Sequence, residues 1–337
     1  MQTDNPNGNT IVAYDRSSDG TLHRAASYQT GGLGGVLNGS VVDHLASQGA
    51  LAYDRAKGLL FAVNAGSNTV TVFAVRGDRL TRRQVISSGG NFPVSVDVHG
   101  NLVYVLNARD GGSVQGYQVV LGHLALIPSR HRSLGLDPAQ TPEFTHTPGQ
   151  IGFTPDGSKV AVTTKGNGND VDVFSVDSHG GLSARPVVNS LPDTVPFAFT
   201  FDAQAHLVLT EAGPNAVATF SVNGDGTLTP VASAATGQAA TCWISGTGSL
   251  FYASNAGSAS LSGYSDSGDG SLTALGNTAT DPGTVDAAIS SDGSFLYAQT
   301  GANGIVDEFH INSDGSLSAI GSVSVPGSAD GEGIAAS

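Results

Sequence analysis

The stretch LLFAVNAGSNTVTVFAVRGDRL occupies residues 59–80 and contains the pattern that decides the fold. An apolar strand ends in the polar turn NAGSN, and a second strand with alternating apolar residues follows it. The Gly77–Asp78 pair then provides the residue types that adopt positive φ in tight hairpins. The stretch therefore predicts two antiparallel strands and a hairpin that leads into a third.

The same strand–turn unit recurs five more times. The copies are LVYVLNARDG (102–111), KVAVTTKGNG (159–168), HLVLTEAGPN (206–215), SLFYASNAGS (249–258) and FLYAQTGANG (295–304). Their turn positions lie 43, 57, 47, 44 and 45 residues apart along the chain. A repeat of about 40–50 residues is typical of propeller blades with four strands each. The six copies therefore predict six internal blades.

The two ends of the chain complete the pattern. NTIVAYDRSSDGTL (9–22) matches the third and fourth strands of a blade, and GEGIAAS (331–337) matches a first strand. We therefore predict one all-β domain over residues 1–337, a seven-bladed β-propeller closed by pairing of the N- and C-terminal strands. Because the shared blade lacks most of one strand, we expect native residues before Gln2. The predicted shared blade combines residues 331–337 with residues 1–28. The six internal blades are predicted to cover roughly residues 51–93, 94–149, 150–196, 197–240, 241–285 and 286–330.

Charge and composition exclude several classes of partner. The formal net charge of −14 gives an acidic protein that repels nucleic acid and anionic membrane surfaces. The single cysteine, Cys242, excludes an intrachain disulfide and a cysteine-based zinc set. We expect no metal, no cofactor and a monomer. The lysine-poor composition favours a secreted or periplasmic protein whose signal segment lies outside this sequence, with a cytoplasmic location as the alternative.

The irregular segments of the propeller are expected on one face. In such a disc, the turns that join the first strand to the second and the third strand to the fourth lie on one face. These turns are short and similar to one another. The other connections include the unlike segments 29–50, 130–149 and 189–196. We call their side the loop-rich face. Function concentrates on unlike loops held by a rigid frame, so the mouth of the central channel there is the predicted site.

Four residues on this face are candidates for catalysis. Glu211 stands at a turn position where other blades have Asn or Thr, and it is a candidate general base for water. The alternative for Glu211 is a salt bridge to Lys165. His146 is a candidate proton shuttle, and Arg109 and Lys165 are candidates to polarise a carbonyl group. Solvated loop charges and an ordinary loop histidine are the alternatives for these three residues.

A second group of residues is predicted to bind substrate around the channel mouth. For the turn asparagines, the alternative is hydrogen bonding to nearby backbone. For the two aromatic residues, the alternative is core packing. The predicted substrate-binding residues are His44, Asn64, Asn107, Gln150, Phe197, Trp243, Asn255, Asp286 and Glu332.

The repeats LLFAVNAGSNTVTVF, LVYVLNARDG and SLFYASNAGS, together with IGFTPDGSKVAVT (151–163), resemble the bacterial lactonase family. That family consists of seven-bladed propellers with YVTN-like repeats and includes 6-phosphogluconolactonase and carboxymuconate lactonising enzymes. Its members often have a His-x-His pair before a strand that corresponds to QIGFTPDG (150–157). Here His146 lies one residue out of phase and Gly149 takes the second position, which argues against a phosphogluconate substrate.

The resemblance implies a hydrolase that acts on a small lactone at the channel mouth. Glu211 would activate water with help from His146, while Arg109 and Lys165 would stabilise charge on the carbonyl oxygen. One alternative is a non-catalytic propeller that binds a protein or a glycan through the same face. The other is a lactonising isomerase.

Overall fold

The computed structural model describes residues 1–337 and confirms an all-β propeller. It contains twenty-six strands, two four-residue α-helices and one short 3-10 helix. Twenty-four strands form six four-stranded sheets, in which strands adjacent in sequence pair with each other. The two remaining strands form a two-stranded sheet. We number the four-stranded sheets as blades I to VI in chain order.

The strands have the following bounds. The two-stranded sheet consists of β1 (Thr10–Arg16) and β2 (Leu22–Gln29). Blade I consists of β3 (Leu51–Asp54), β4 (Leu59–Asn64), β5 (Thr69–Arg76) and β6 (Arg79–Ser87). Blade II consists of β7 (Pro93–His99), β8 (Leu102–Asn107), β9 (Ser113–Val120) and β10 (His123–Ser133). Blade III consists of β11 (Ile151–Phe153), β12 (Lys159–Thr163), β13 (Asp170–Ser175) and β14 (Val187–Ser190).

The second half of the chain repeats the arrangement three times. Blade IV consists of β15 (Pro196–Phe201), β16 (His206–Glu211), β17 (Ala216–Val222) and β18 (Leu228–Ala235). Blade V consists of β19 (Thr241–Gly246), β20 (Leu250–Asn255), β21 (Ser260–Ser265) and β22 (Thr273–Ala279). Blade VI consists of β23 (Thr284–Ile289), β24 (Phe295–Thr300), β25 (Ile305–Ile311) and β26 (Leu317–Ser324). The helices are α1 (Glu143–His146), α2 (Lys165–Gly168) and the 3-10 helix Ala65–Ser67. None of them is long and apolar enough to cross a membrane.

Burial follows the position of a strand within its blade. Every residue of β4 and of β24, both second strands, is buried. A second strand is covered on both faces by neighbouring blades, so it has an apolar run instead of strict alternation. The fourth strands β6 and β26 are exposed or half-buried throughout because they lie at the rim. This gradient explains why the second-strand copies gave the strongest repeat signal.

Neighbouring blades are joined by a repeated tyrosine–glycine hydrogen bond. The Tyr104 hydroxyl of blade II donates to Gly180 O of blade III at 2.7 Å, and Tyr252 of blade V donates to Gly315 O of blade VI at 2.9 Å. Gly180 adopts φ of 75°, and a Cβ there would lie 2.3 Å from Leu102 Cδ2. The hairpin glycines therefore allow a close approach between blades as well as a tight turn.

The chain termini differ from the prediction of a complete shared strand. Residues 331–337 form no strand. Residues Met1–Thr3 pair with β1 through Val12 N to Met1 O at 2.8 Å and Thr3 N to Thr10 O at 3.1 Å. One backbone bond of 2.8 Å, from Gln2 N to Gly333 O, joins them to residues 331–337, and one bond is too few to make a strand of that segment. The structure therefore shows six complete blades and a partial seventh sheet.

A segment that we call the central segment, residues 43–50, crosses the middle of the loop-rich face. Ser47 Oγ donates to Val94 O of blade II at 2.9 Å. The Gln48 amide exchanges two hydrogen bonds with Ile244 of blade V, and Trp243 Nε1 donates to Ser47 O at 2.6 Å. Because it satisfies backbone groups of first strands from different blades, this segment covers the axis that we predicted to be the site.

Candidate functional site

A small pocket between blades II and III brings together two of the four predicted catalytic residues. Arg109 follows β8, and His146 ends α1 just before blade III. The pocket has a volume of about 40 Å³ and is also lined by Glu143 and Asn167. This space exceeds the ~10–15 Å³ of probe volume that one water requires. The central segment covers the propeller axis, and the pocket lies to one side of this segment.

Arg109 is held rigidly at the pocket by one carboxylate and one aromatic ring. Its Nε and Nη2 atoms donate to the two carboxylate oxygens of Glu143 at 2.6 and 3.2 Å. Its guanidinium lies 4.2 Å from the centre of the Phe92 ring. Burial disfavours the Glu143 carboxylate, but hydrogen bonds from Arg109 and from Asn38 N outweigh it and lower the Glu143 pKa. Nη1 of Arg109 makes no hydrogen bond, so it remains available to a ligand.

His146 has two oxygen neighbours at Nδ1. Its Nδ1 atom lies 2.9 Å from the carbonyl oxygen of Pro142, which can only accept a hydrogen bond, and 2.9 Å from the Thr145 hydroxyl, which can accept or donate. The carbonyl therefore favours the neutral tautomer with the proton on Nδ1 and the lone pair on Nε2. Nε2 faces Gly166, since a Cβ at that glycine would lie 3.5 Å from it. His146 consequently presents a proton-accepting nitrogen beside the pocket.

Lys165 is buried, which contradicts the alternative that it is a solvated loop charge. Its ammonium donates to Ala46 O at 2.6 Å, Phe144 O at 2.5 Å and Thr147 Oγ1 at 3.2 Å. Burial lowers its pKa to about 7, although the Asp43 carboxylate opposes this shift. The backbone φ of Lys165 is 51°, a strained value for a residue with a side chain. Lys165 thus links the central segment to α1 rather than facing solvent.

Glu211 lies at the end of β16, on the same face as His146. It is only 8% exposed, its carboxylate makes no hydrogen bond, and it belongs to no salt bridge. The alternative of a salt bridge to Lys165 is therefore wrong, because Lys165 directs its ammonium to three oxygens elsewhere. Burial raises the pKa of Glu211. A buried carboxylate without a partner is typical of a functional position.

Lys165 lies between His146 and Glu211 in the structure. Its ammonium is 5.3 Å from the centre of the Phe197 ring. Phe197 lies in β15, which pairs with β16, the strand that ends at Glu211. Phe197 in turn packs edge-on against Trp243, with ring centres 5.0 Å apart. Both aromatic residues belong to one buried apolar cluster. Their side chains have the contacts that the core-packing alternative describes.

The predicted substrate-binding residues Asp286 and Glu332 lie in a buried acidic cluster behind the central segment. Glu332 accepts hydrogen bonds from Gly49 N and Ala50 N at 2.9 and 3.3 Å. Burial raises the pKa of Asp286 to about 7 and that of Glu332 well above its usual value, with the neighbouring carboxylates adding to the shift at Glu332. Asp4 belongs to the same cluster, with a pKa that burial raises to about 7.

The three turn asparagines are fully buried within their own blades. Asn64 Nδ2 donates to Thr71 Oγ1 at 2.9 Å, and Asn107 Nδ2 donates to Ser88 O at 3.2 Å. Asn255 Nδ2 donates to Ser262 Oγ at 2.9 Å. These contacts are local hydrogen bonds between neighbouring strands and loops. They match the alternative that these asparagines stabilise turns.

Gln150 and His44 also contact protein groups in this structure. The Gln150 amide exchanges two hydrogen bonds with the backbone of Phe199, at 2.7 and 3.0 Å. Gln150 thus joins blades III and IV with the same pair of amide–backbone hydrogen bonds that Gln48 makes with Ile244. His44 Nε2 lies 3.6 Å from Asp330 Oδ2. Neither residue lines the pocket of Arg109 and His146.

Sequence reasoning did not identify the central segment or two residues of the site. Asn167 Nδ2 donates to His146 O at 2.9 Å and to Asp137 O at 2.8 Å, which joins the two sides of the pocket. Glu143, which pairs with Arg109, was not among the residues predicted for the site. No local sequence signal reveals either role, because each depends on residues about 20 to 35 positions away in the chain.

A larger apolar cavity lies elsewhere in the molecule. It has a volume of about 430 Å³ and lies between β1, blade I and residues 334–337. Met1 and Tyr14 line it, but none of the predicted catalytic residues does. The cavity is therefore separate from the pocket that Arg109 and His146 line.

Comparison with known proteins places this geometry in a family. A family model described as "Lactonase, 7-bladed beta-propeller" matches residues 10–329. A comparison with curated protein sequences finds no match.

Solved structures share the fold at low sequence identity. A protein from Lactobacillus plantarum has a TM-score of 0.75 and 19% identity, and the match covers 98% of each chain. The periplasmic gluconolactonase of Pseudomonas aeruginosa has a TM-score of 0.72 and 19% identity, with 94% of this chain and 96% of that chain covered. A candidate 6-phosphogluconolactonase from Bacteroides fragilis has a TM-score of 0.69 and 17% identity, with coverage of 94% and 95%. At these identities the likeness shows the fold alone.

Proposed function

The chain belongs to the family of seven-bladed β-propeller lactonases, and from that membership we propose that it hydrolyses a small lactone. The observation that carries the proposal is the pocket that His146 and Arg109 line together, with His146 Nδ1 beside the Pro142 carbonyl oxygen. A base and a cation beside one pocket with room for a water are the groups that ester hydrolysis needs. Because about 40 Å³ holds a water but not a lactone, the lactone would lie over the mouth of the pocket. The proposed site therefore lies at the junction of blades II and III, and not at the channel mouth where the sequence predicted it.

In the proposed reaction, His146 acts as the general base. Its Nε2 takes a proton from water, and the resulting hydroxide adds to the lactone carbonyl carbon. The ring C–O bond then breaks, and the imidazolium returns its proton to the leaving alkoxide oxygen. The product is the open-chain hydroxy acid. The bond from Nδ1 to Pro142 O keeps Nε2 available throughout.

Arg109 stabilises the negative charge that develops on the carbonyl oxygen. Its Nη1 atom is free, while Glu143 and Phe92 hold the rest of the guanidinium in place. A positioned cation loses little entropy when the charge forms, which favours the transition state. Lys165 cannot contribute in the same way, because its three protons already bind protein oxygens. We assign Lys165 a positioning role for α1 and the central segment.

Glu211 is the second candidate base. Its support is the combination of a largely buried residue, a raised pKa and the lack of any hydrogen-bond partner for the carboxylate. A carboxylate in such surroundings gains basicity, since desolvation destabilises its charged form. His146 is the better supported of the two because it lines the pocket.

We propose that the substrate is a lactone without a phosphate group. Arg109 is the one lysine or arginine that lines the pocket, and it is paired with Glu143. Asp110 and Asp137 add negative charge to the same lining. A phosphate dianion requires free Arg or Lys partners and is repelled by such a lining. A neutral aldonolactone meets no such repulsion.

A comparison of two substrates tests this function. Base uptake in a pH-stat would be followed with glucono-δ-lactone and with 6-phosphoglucono-δ-lactone, and the spontaneous rate would be subtracted. We expect catalysed hydrolysis with kcat/KM at least about 100-fold higher for the neutral lactone, and a loss of about 100-fold or more in Arg109→Ala. No hydrolysis above the spontaneous rate for any aldonolactone would overturn the function. A preference for the phosphorylated lactone would overturn the substrate class.

We also propose that both termini and the β1–β2 sheet form the seventh blade. The supporting contacts are Gln2 N to Gly333 O at 2.8 Å, Val12 N to Met1 O at 2.8 Å and Glu332 N to Asp4 Oδ2 at 2.7 Å. Truncation after Asp330 removes two of these bonds. It should lower the midpoint of thermal unfolding, whereas an unchanged midpoint would reject the closure.

We propose a periplasmic or secreted location. The support is the fold shared with the periplasmic gluconolactonase of Pseudomonas aeruginosa, together with a composition of only three lysines. Fractionation of the producing cells, followed by immunodetection, tests the location directly. Recovery in the cytoplasmic fraction alone would reject it.

A further inference from the structure

A cluster of potential metal ligands lies on the face opposite to the pocket, at the junction of blades IV and V. Asp202 lies in the turn between β15 and β16, His206 begins β16, and Asp266 follows β21. One ligand atom from each residue lies within 4.8 Å of the other two. These turns join first to second and third to fourth strands, so they face away from His146. The proposed lactone hydrolysis does not use them.

Each carboxylate of the cluster uses one oxygen for its own turn and leaves the other for the cluster. Asp202 Oδ1 accepts hydrogen bonds from the backbone N–H groups of Gln204 and His206 at 2.9 and 2.7 Å. Asp266 Oδ1 accepts from the N–H groups of Gly268 and Gly270 at 2.8 and 3.1 Å. The Oδ1 atoms therefore explain the local turns and are not free for a ligand.

The two Oδ2 atoms take no part in these turns. Asp202 Oδ2 lies 2.6 Å from His206 Nδ1. Asp266 is only 8% exposed, and no N–H or hydroxyl group donates to its buried Oδ2 atom. The Asp202 carboxylate faces it, so the two carboxylates must share either a proton or a cation. An unpartnered buried carboxylate oxygen is costly unless a cation or a donor compensates it. This unsatisfied oxygen belongs to a cluster that already holds a second carboxylate and an imidazole.

Comparison of the blades shows that His206 departs from the repeat. The first residue of the second strand is Leu102 in blade II, Leu250 in blade V and Phe295 in blade VI. Each of these side chains packs against a hairpin glycine of the next blade. His206 takes the equivalent place against Gly270, whose Cβ would lie 3.3 Å from Nδ1. The position is also apolar in blade I, where it is Leu59, but it is Lys159 in blade III. An imidazole at a position that is apolar in four of the other five blades therefore faces the loop that carries Asp266.

We propose that Asp202, His206 and Asp266 bind one divalent transition-metal ion, with Zn²⁺ as the expected ion. Two carboxylates and a neutral imidazole balance a divalent charge. Zinc accepts nitrogen and carboxylate oxygen ligands together, and three protein ligands leave a fourth tetrahedral position for water. The ligands come from two blades, so the ion cross-links blades IV and V. Its expected role is stability, since the site lies opposite the pocket.

Isosteric variants separate metal binding from folding. Asp202→Asn and Asp266→Asn keep the Oδ1 acceptor that each turn needs and replace only the Oδ2 ligand. His206→Leu restores the residue type found in other blades, so it retains the packing against Gly270. The matched control is Asp177→Asn in blade III. Asp177 Oδ1 accepts from His179 N and Gly181 N at 2.7 and 2.9 Å, but Asp177 belongs to no metal-binding cluster.

The test is calorimetric titration of chelator-treated protein with Zn²⁺, together with thermal unfolding. We expect one saturable site per chain with a dissociation constant below about 100 µM. Zn²⁺ at about 100 times that constant should raise the unfolding midpoint by several degrees. Both Asn variants and His206→Leu should weaken binding at least about tenfold, and Asp177→Asn should bind as the parent does. The Co²⁺ form should show the visible absorption of tetrahedral coordination.

Two results would overturn the metal site. One is the lack of a saturable site in the parent chain. The other is equal Zn²⁺ affinity in the parent and in the folded variants, which would mean that zinc binds elsewhere among the nine histidines. Circular dichroism of each variant confirms folding before titration, and His206→Leu remains informative if an Asn variant is unstable.

Discussion

The imidazole Nδ1 of His146 is 2.9 Å from the carbonyl oxygen of Pro142, four residues earlier in the chain. This contact bears on which ring nitrogen can take a proton. Because the carbonyl can only accept, it favours the neutral ring with the proton on Nδ1 and the lone pair on Nε2, although the Thr145 hydroxyl also lies 2.9 Å from Nδ1. The short helix α1 brings the two residues together, and Asn167 fixes the backbone oxygen of His146 from the other side of the pocket.

Replacing His146 with Gln should remove the proposed base without disturbing the fold. We expect kcat/KM for glucono-δ-lactone to fall by about 10²–10⁴-fold, the usual contribution of general base catalysis. His44→Gln is the matched control, because His44 is on the same face but outside the pocket. Equal rates for the two variants would contradict the assignment.

Glu211→Gln should separate activity from stability. The carboxylate has no partner, and burial raises its pKa, so its charged form destabilises the folded state at neutral pH. The neutral amide should therefore leave the unfolding midpoint at pH 7.5 unchanged or raise it. If Glu211 moves a proton, turnover should fall by about 100-fold or more in the same variant. Unchanged turnover would remove Glu211 from the mechanism.

The buried acidic cluster should make stability depend on pH. Burial raises the pKa values of Asp4 and Asp286 to about 7, so the folded protein binds more protons than the unfolded chain between pH ~4 and ~7. The free energy of unfolding should consequently fall as pH rises through this window. Asp286→Asn should reduce that fall, measured by urea unfolding at several pH values. Asp15→Asn, at an exposed position, is the control and should follow the parent.

Lys165 should produce the opposite slope at higher pH. Burial lowers its pKa to about 7, so the unfolded chain binds more protons than the folded protein between pH ~7 and ~10. Stability should therefore rise with pH in that range. Lys165→Met, which keeps an unbranched apolar chain, should abolish the rise in urea unfolding curves. A parent chain whose stability does not rise above pH 7 would contradict the lowered pKa of Lys165.

Gln150→Ala should lower stability but not substrate affinity. The Gln150 amide satisfies both backbone groups of Phe199, and its loss leaves them without partners at a cost of roughly 1–3 kcal/mol. Gln48→Ala should cost about the same, since Gln48 makes the corresponding pair of bonds to Ile244. KM should stay at the parent value in both variants. A raised KM in Gln150→Ala alone would restore Gln150 as a substrate-binding residue.

The site was predictable in part. Placing Arg109, His146 and Glu211 on one face followed from the repeat, because strand order determines the side on which each turn lies. The pairing of Arg109 with Glu143 was not predictable, since it joins a turn to a loop 34 residues later. The sequence also did not predict that residues 43–50 cover the axis. Their composition is ordinary, and only their contacts with the first strands place them there.

The sequence by itself determined the propeller architecture, because a repeat of alternating strands and glycine turns has one efficient way to bury every second strand on both faces. Tertiary structure alone decided where chemistry can occur. The half-buried position of His146, the burial of Lys165 and the proximity of Asp202 to Asp266 each depend on contacts between segments far apart in sequence. Local composition encodes strands and turns, whereas pKa, tautomer and access depend on what surrounds a side chain in three dimensions.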